Sequence, residues 1–129
     1  MNASGTRPLV AGIHHVSLLV ADTGRALEFY RDLLGLEQDP RRPELGYPGA
    51  WLGIGDRQLH LIELPNPDAA AERPEHAGHD RHLALRVTDI DLLQQRLERA
   101  AIPFTRSRSG RAALFCRDPD GNGLEFIGA

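Results

Sequence analysis

The sequence predicts an α+β fold in which two tandem βαβββ modules form a curved eight-stranded mixed sheet, a half-open barrel with its helices on the outer face. The first observation behind this prediction is an internal repeat, because the segment Gly12–Asp22 (GIHHVSLLVAD) is echoed by Arg81–Asp89 (RHLALRVTD). The second is that each copy alternates like a strand and is followed by apolar residues at helical spacing. The third is the length of 129 residues, which suits one compact domain.

Module one is predicted to span residues 12–64, after a flexible tail over residues 1–11. Its first strand is Ile13–Val20, in which alternate side chains share a face. The helix that follows is expected to be capped near Asp22 and to end at Gly35. Three more strands complete the module, near Leu36–Arg41, Tyr47–Ile54 and Arg57–Leu64.

Module two, residues 81–129, repeats this plan after a connecting loop over residues 65–80 that is rich in proline, alanine and charged residues. A strand over Arg81–Val87 precedes a helix over Asp89–Ala101, and Pro103 prevents that helix from continuing. The remaining strands are predicted at Pro103–Arg106, Ala112–Cys116 and Asn122–Ile127.

The composition excludes several classes of function. The formal net charge of −3, with both signs interspersed, does not favour a nucleic acid or an anionic membrane as partner. The beginning of the sequence lacks an apolar signal-peptide core, and a single cysteine, Cys116, cannot form an internal disulfide, so a cytoplasmic location is expected. All 15 basic residues are arginine, which excludes a Schiff-base lysine and a P-loop lysine.

Four polar residues occupy related places in the two modules. The repeat aligns His15 with His82, and the last strands set His60, between two leucines, opposite Glu125, between Leu124 and Phe126. Because the flanking apolar residues must face the helices, all four polar side chains are expected on the helix-free face of the sheet. Three imidazoles and one carboxylate form a ligand set for one divalent metal ion such as Zn, Ni, Co, Fe or Mn.

Five motifs make the chain resemble the vicinal oxygen chelate superfamily of glyoxalase, bleomycin-resistance and extradiol dioxygenase relatives, over about Gly12 to Ile127. They are HHVSLLVAD, RALEFYRDLLGLE, QLHLIEL, RHLALRVTDID and DPDGNGLEFIG. The plan is most similar to that of glyoxalase I-like single-domain proteins. The resemblance implies metal ligands in the first and fourth strands of each module, which are the same four residues. By alternation, the neighbouring His14 and Glu63 are expected to face the helices instead.

This resemblance implies a metal-dependent lyase or isomerase that acts on a small molecule with vicinal oxygens through a metal-bound enediolate, with Glu125 as the candidate catalytic base. It also implies a homodimer, whose metal site lies within one chain or is shared by two. One departure matters, since glyoxalase I-like enzymes usually carry an acidic or amide residue where this chain has His60. The glyoxalase I proton shuttle therefore cannot be carried over intact.

Three alternative functions stay open within the resemblance. They are an extradiol-type ring-cleaving dioxygenase, a thiol transferase of the fosfomycin-resistance kind, and a metal-free antibiotic-binding resistance protein. The binding proteins lack the metal ligands, whereas this chain keeps all four candidates, so the ligand set favours an enzyme.

Weaker candidates for substrate binding lie elsewhere. Arg106, Arg108 and Arg111 crowd the segment TRSRSGR, which is either a solvated hairpin tip or a clamp for a substrate carboxylate or phosphate. Tyr47 and Trp51 either line the inside of the half-open barrel or pack in the core.

Other conspicuous residues have structural explanations. His76 and His79 lie in the connecting loop and are better candidates for mobile lid residues than for metal ligands. Cys116 is expected to pack rather than to act as a nucleophile, and Asp118-Pro119-Asp120-Gly121 is expected to form only a turn.

Overall fold

The computed structural model describes residue 5 and residues 7–68 and 72–128. Module one contains the strands β1 (His15–Leu19), β2 (Glu37–Asp39), β3 (Gly49–Ile54) and β4 (Arg57–Ile62) and the helix α1 (Thr23–Leu27), which continues as a π-helical segment over Glu28–Leu33. Module two contains β5 (His82–Val87), α2 (Ile90–Arg99), β6 (Phe104–Arg106), β7 (Ala113–Arg117) and β8 (Gly123–Gly128). The α+β class and the two tandem βαβββ modules are therefore confirmed.

The eight strands are divided between two four-stranded sheets, one in each module. The strand orders are β1-β4-β3-β2 and β5-β8-β7-β6, so the two sheets have the same topology. In each, the first strand pairs in parallel with the fourth, and the other pairs are antiparallel. The expected single eight-stranded sheet is thus two sheets among the described residues, because β1 and β5 each lie at a sheet edge rather than pairing with one another.

Both helices begin as the repeat predicts. The carboxylate of Asp22 accepts a hydrogen bond from the backbone N–H of Arg25, and that of Asp89 accepts one from Leu92, so each satisfies an unpaired donor of the first turn. After the π-helical segment the chain turns at Gly35, whose φ of +82° is a conformation that favours glycine. No helix among the described residues is long and apolar enough to cross a bilayer.

The core lies between the sheets and the helices. Leu59 and Leu61 of β4 and Leu124 and Phe126 of β8 are at most 1% exposed, which confirms that these side chains point to the helices. Fully burying side chains of this size contributes roughly 1.5–3 kcal/mol each. This packing fixes the register of both strands, since a slip by one residue would bury His60 or expose its neighbours.

The turn at Asp118–Asn122 joins the two modules. Tyr30, which is fully buried, donates its hydroxyl to Oδ2 of Asp118 at 2.6 Å. Asn122 donates its side-chain amide to the carbonyl of Leu19 at the end of β1, and the backbone N–H of Ala21 donates to Asp120. This segment was expected to be only a turn, but it also holds module two against module one.

The described part of the connecting segment is docked on module two. The carboxylate of Asp80 accepts hydrogen bonds from Arg73 and Arg117, each at 2.9 Å, and Arg117 also donates to the carbonyl of Pro74. These arginines, Arg117 foremost, lower the pKa of Asp80 to about 2. Ala77, in a short 3-10 helix, is buried. Of the predicted tail, residues 1–4 and 6 lie outside the described residues, and residues 7–11 form neither helix nor strand.

Candidate functional site

In module one, three aromatic rings stack on the helix-free face of the sheet. The ring centroids of His15 and His60 are 4.0 Å apart with an interplanar angle of 18°, and those of His60 and Trp51 are 4.5 Å apart with an angle of 8°. The sheet register explains the stack, because Trp51 lies directly opposite His60 on β3 and Ser17 lies opposite it on β1. His15 and His60 therefore form one pair of candidate ligands, with Trp51 beside them.

In module two, His82 and Glu125 form the second pair. Nε2 of His82 lies 3.1 Å from Oε1 of Glu125, whose other carboxylate oxygen pairs with the guanidinium of Arg111. Nδ1 of His82 lies 2.8 Å from the carbonyl oxygen of Asp80. Since a carbonyl only accepts, Nδ1 of His82 donates to it, and Nε2 is the ring nitrogen that faces the carboxylate of Glu125.

The two pairs occupy equivalent places in their sheets. His15 lies opposite Gln58 and His82 lies opposite Gly123, and in each case the second candidate ligand follows two residues later. Trp51 beside His60 corresponds to Phe115 beside Glu125. The repeat seen in the sequence is thus a repeat of register, which the strand alternation alone could not establish.

The single chain assembles these residues as two pairs rather than as one cluster. Within residues 5, 7–68 and 72–128, no group of three or more His, Cys, Asp or Glu side chains could hold a metal ion. His15 stacks on His60, and His82 contacts Glu125. The chemistry of each pair nevertheless fits a ligand role. A metal-binding histidine characteristically donates its second ring N–H to a carbonyl or carboxylate, as His82 does to Asp80.

The surroundings of His60 favour its neutral form. Desolvation lowers the pKa of His60, and the nearby His15, His14 and Arg42 lower it further. Because a metal ion binds the neutral imidazole, this direction suits a ligand.

His14 and Glu63, which were not expected to be metal ligands, have different surroundings in the structure. Glu63 accepts hydrogen bonds from the backbone N–H and the hydroxyl of Thr23, so it caps α1, as its predicted orientation toward the helix allows. His14 does not turn toward the helix side, because its Nδ1 lies 2.9 Å from Nδ1 of His15. The physical reason is that β1 begins at His15, so strand alternation does not apply to His14.

Of the three arginines in the predicted clamp, Arg111 reaches the site. Its guanidinium pairs with Glu125, whereas Arg106 and Arg108 are exposed and form no ion pair within the part of the chain that the structure describes. The sequence did not predict this pair, since a turn residue has no alternation from which to infer its direction. Arg111 thus pairs with one carboxylate oxygen of a candidate metal ligand.

If Glu125 is a metal ligand, replacing Arg111 with glutamine is expected to strengthen metal binding modestly. Its side chain is 56% exposed, so the ion pair with Glu125 contributes at most about 1 kcal/mol, or about a fivefold change in affinity. Zinc affinity measured by competition with a chelating dye checks this, and Arg106→Gln is the matched control. An Arg111→Gln protein that binds zinc more weakly than wild type would show that Arg111 supports the site instead of competing for it.

The remaining candidates are distributed around the two pairs. Tyr47 lies in the loop between β2 and β3, under the guanidinium of Arg42, whose carbon is 5.4 Å from the ring centroid. His76 is docked rather than free, since its Nδ1 lies 2.6 Å from the hydroxyl of Thr105 and its ring contacts those of His79 and Phe115. Burial raises the pKa of the Cys116 thiol to about 12, which agrees with a packing role.

Comparison with known proteins connects this chain to one family. The family model described as "Glyoxalase/Bleomycin resistance protein/Dioxygenase superfamily" matches residues 12–126. A lactoylglutathione lyase of Haemophilus influenzae is 32% identical, covering 89% of this chain and 90% of that protein. The glutathione transferase FosA of Serratia marcescens is 30% identical, covering 92% and 81%. A glyoxalase family protein from Bacillus anthracis has a similar structure, with a TM-score of 0.77 and 26% identity over 95% of this chain and 98% of that one.

Proposed function

The chain belongs to the Glyoxalase/Bleomycin resistance protein/Dioxygenase superfamily, and on that premise we propose that it is a metal-dependent lyase or isomerase acting on a small molecule with vicinal oxygens. The observation that carries the proposal is the equivalent placement of two donor pairs, His15 with His60 and His82 with Glu125, on the helix-free faces of two sheets. Members of the superfamily are mostly enzymes and use divalent metal ions.

These four side chains would hold one divalent ion, which supplies Lewis acidity toward neighbouring substrate oxygens. The other part of the chemistry belongs to Glu125. Its carboxylate takes the proton from a carbon beside a carbonyl, and the electron pair of the broken C–H bond moves into the substrate's carbon–oxygen system. The same carboxyl then returns the proton to a neighbouring carbon or to the opposite face. Arg111 is placed to receive an anionic group of the substrate once it leaves Glu125.

The complete site is formed by two chains in this proposal. The two pairs are separate within one chain, and β1 and β5, which carry His15 and His82, are both edge strands. An edge strand presents unpaired backbone groups that a second chain can cover. A homodimer would then bring the first pair of one chain to the second pair of its partner.

Purified protein is expected to bind one divalent metal ion per complete site. Elemental analysis after dialysis against Zn, Ni, Co and Mn in turn, with sedimentation for the oligomeric state, measures this. Retention should weaken below about pH 6 because protonated imidazoles do not bind metal. Protein that stays metal-free throughout the series would contradict the proposal.

Mixing two variants tests whether the site is shared. One chain carries His15→Ala with His60→Ala, and the other carries His82→Ala with Glu125→Ala. In a mixed dimer with shared sites, one site retains all four ligands and the other retains none, so metal binding returns to one ion per dimer. If each site lies within one chain, mixing restores nothing.

A thiol transferase of the fosfomycin-resistance kind is the second candidate, because the FosA relative is almost as similar to this chain as the lactoylglutathione lyase. A ligand screen by thermal shift separates the two. Stabilisation by fosfomycin and a thiol would favour the transferase, and stabilisation by α-hydroxy or α-keto compounds would favour the lyase or isomerase.

A further inference from the structure

Gln58 lies on the helix-free face of β4, between the two candidate ligands of module one. It is directly opposite His15 in the sheet and two residues before His60, so its side chain shares their face. Its Oε1 is 2.9 Å from Nε2 of His60, and its Nε2 is 2.8 Å from Oδ2 of Asp39. Gln58 thus connects a ring nitrogen of His60 to a carboxylate on β2.

The donor and the acceptor can be assigned in both contacts, Asp39 with Gln58 and Gln58 with His60. Asp39 accepts from the side chain and the backbone N–H of Arg41, and Arg41 lowers the pKa of Asp39 to about 2, so the carboxylate has no proton to donate. The contact with Asp39 must therefore come from the NH2 group of Gln58. The amide oxygen is left facing His60, and an oxygen can only accept, so Nε2 of His60 carries the proton. The lone pair of neutral His60 is consequently on Nδ1.

In module two, no side chain corresponds to that of Gln58. Gly123 occupies the position that corresponds to Gln58. A Cβ there would lie 2.8 Å from the carbonyl oxygen of Arg81 and 3.2 Å from Cβ of His82, so no side chain fits. His82 is held from its other nitrogen, Nδ1, by the carbonyl of Asp80. The neighbouring groups that orient His60 and His82 therefore hold opposite ring nitrogens, Nε2 in His60 and Nδ1 in His82.

We propose that Gln58, held by Asp39, is a positioning residue that fixes the tautomer and ring orientation of His60 and so presents its Nδ1 as the ligand atom. The inference rests on the proposed function, in which His60 binds the metal ion. Groups that orient metal-binding histidines in this way typically change metal affinity by roughly 10- to 100-fold when removed.

The test reads the ring nitrogens directly in metal-free protein. Protein labelled with 15N-histidine is examined by long-range 1H–15N correlation near pH 8, where imidazoles are neutral, with His60→Asn to assign the signals. Wild type is expected to show Nε2 protonated and Nδ1 unprotonated in His60. Gln58→Leu should average the two nitrogen shifts and weaken zinc affinity about 10-fold. Gln95→Leu, an exposed site on α2, is the control and should change neither.

A paired variant separates positioning from general damage to the fold. Combining Gln58→Glu with Asp39→Asn reverses donor and acceptor between β2 and β4 while keeping an oxygen opposite Nε2 of His60. This protein should recover the wild-type tautomer and most of the zinc affinity. Failure of the paired variant to recover the tautomer would overturn the proposal.

The role of Gln58 and metal binding itself can fail separately. If His60 of wild type has its proton on Nδ1, or if Gln58→Leu leaves both spectra and zinc affinity unchanged, Gln58 has no positioning role even though the protein binds metal. If wild type binds no zinc, the proposed function fails, while the spectra of the metal-free protein still decide whether Gln58 sets the tautomer.

Discussion

Glu125→Gln is expected to slow exchange of the substrate's α-hydrogen for deuterium by roughly 10²- to 10⁴-fold, the usual contribution of a positioned base. The amide keeps the size of Glu125 and an oxygen that can still contact a metal ion, but it cannot take a proton. Exchange is measured in heavy water under anaerobic conditions, with a substrate identified by thermal shift. Metal content should remain close to that of wild type.

Glu63→Gln is the matched control for this variant. Glu63 is a half-buried carboxylate just after β4 that caps α1, so its replacement should not affect exchange. Exchange at the wild-type rate in Glu125→Gln would place the base elsewhere. Turnover that requires oxygen would replace the lyase or isomerase function with ring-cleaving dioxygenase chemistry.

Asp118→Ala is expected to lower the free energy of unfolding by about 3 kcal/mol. Asp118 is 5% exposed and accepts hydrogen bonds from the Tyr30 hydroxyl, the Asn122 amide and two backbone N–H groups. Their removal leaves buried donors unpaired. Urea unfolding measures the change, and Asp120→Ala, which removes one exposed contact to Ala21, should cost less than 1 kcal/mol.

The same pair gives the stability an alkaline limit. Burial raises the pKa of Tyr30 well above its ordinary value, with Asp118 raising it further. Unfolded tyrosine loses its proton near pH 10 while folded Tyr30 keeps it, so stability is full below about pH 10 and falls as pH rises further. Tyr30→Phe should remove this part of the pH dependence. A variant as alkali-sensitive as wild type would mean that another group limits stability at high pH.

Strand alternation predicted which residues of β4 and β8 face the helices. The apolar residues of these strands must be buried however the two modules are arranged, and the structure buries Leu59, Leu61, Leu124 and Phe126. The family resemblance is confirmed by the family model, which matches residues 12–126 and so includes all five motifs but the last few residues of the fifth. The assignment of His15, His60, His82 and Glu125 as metal ligands stays a prediction.

Long-range contacts between polar residues could not be predicted in this way. Tyr30 and Asp118 are 88 residues apart, and nothing in the sequence of the turn indicates which donor forms a hydrogen bond with the Asp118 carboxylate. Arg111 and His14 lie outside regular strands, so no alternation gives their direction. The division into two sheets likewise depends on how the modules dock, which local patterns do not encode.

The closure of each sheet within its own module has a consequence for how the chain folds. Every ladder of β1–β4 is formed by residues 15–62, and every ladder of β5–β8 by residues 82–128. No strand pair among the described residues must wait for a partner from the other half, so loop-closure entropy is limited to that of a chain about half as long. We expect each half to form its backbone hydrogen bonds independently, and the contact of Asp118 with Tyr30 to form only when the two halves pack around the core that they share.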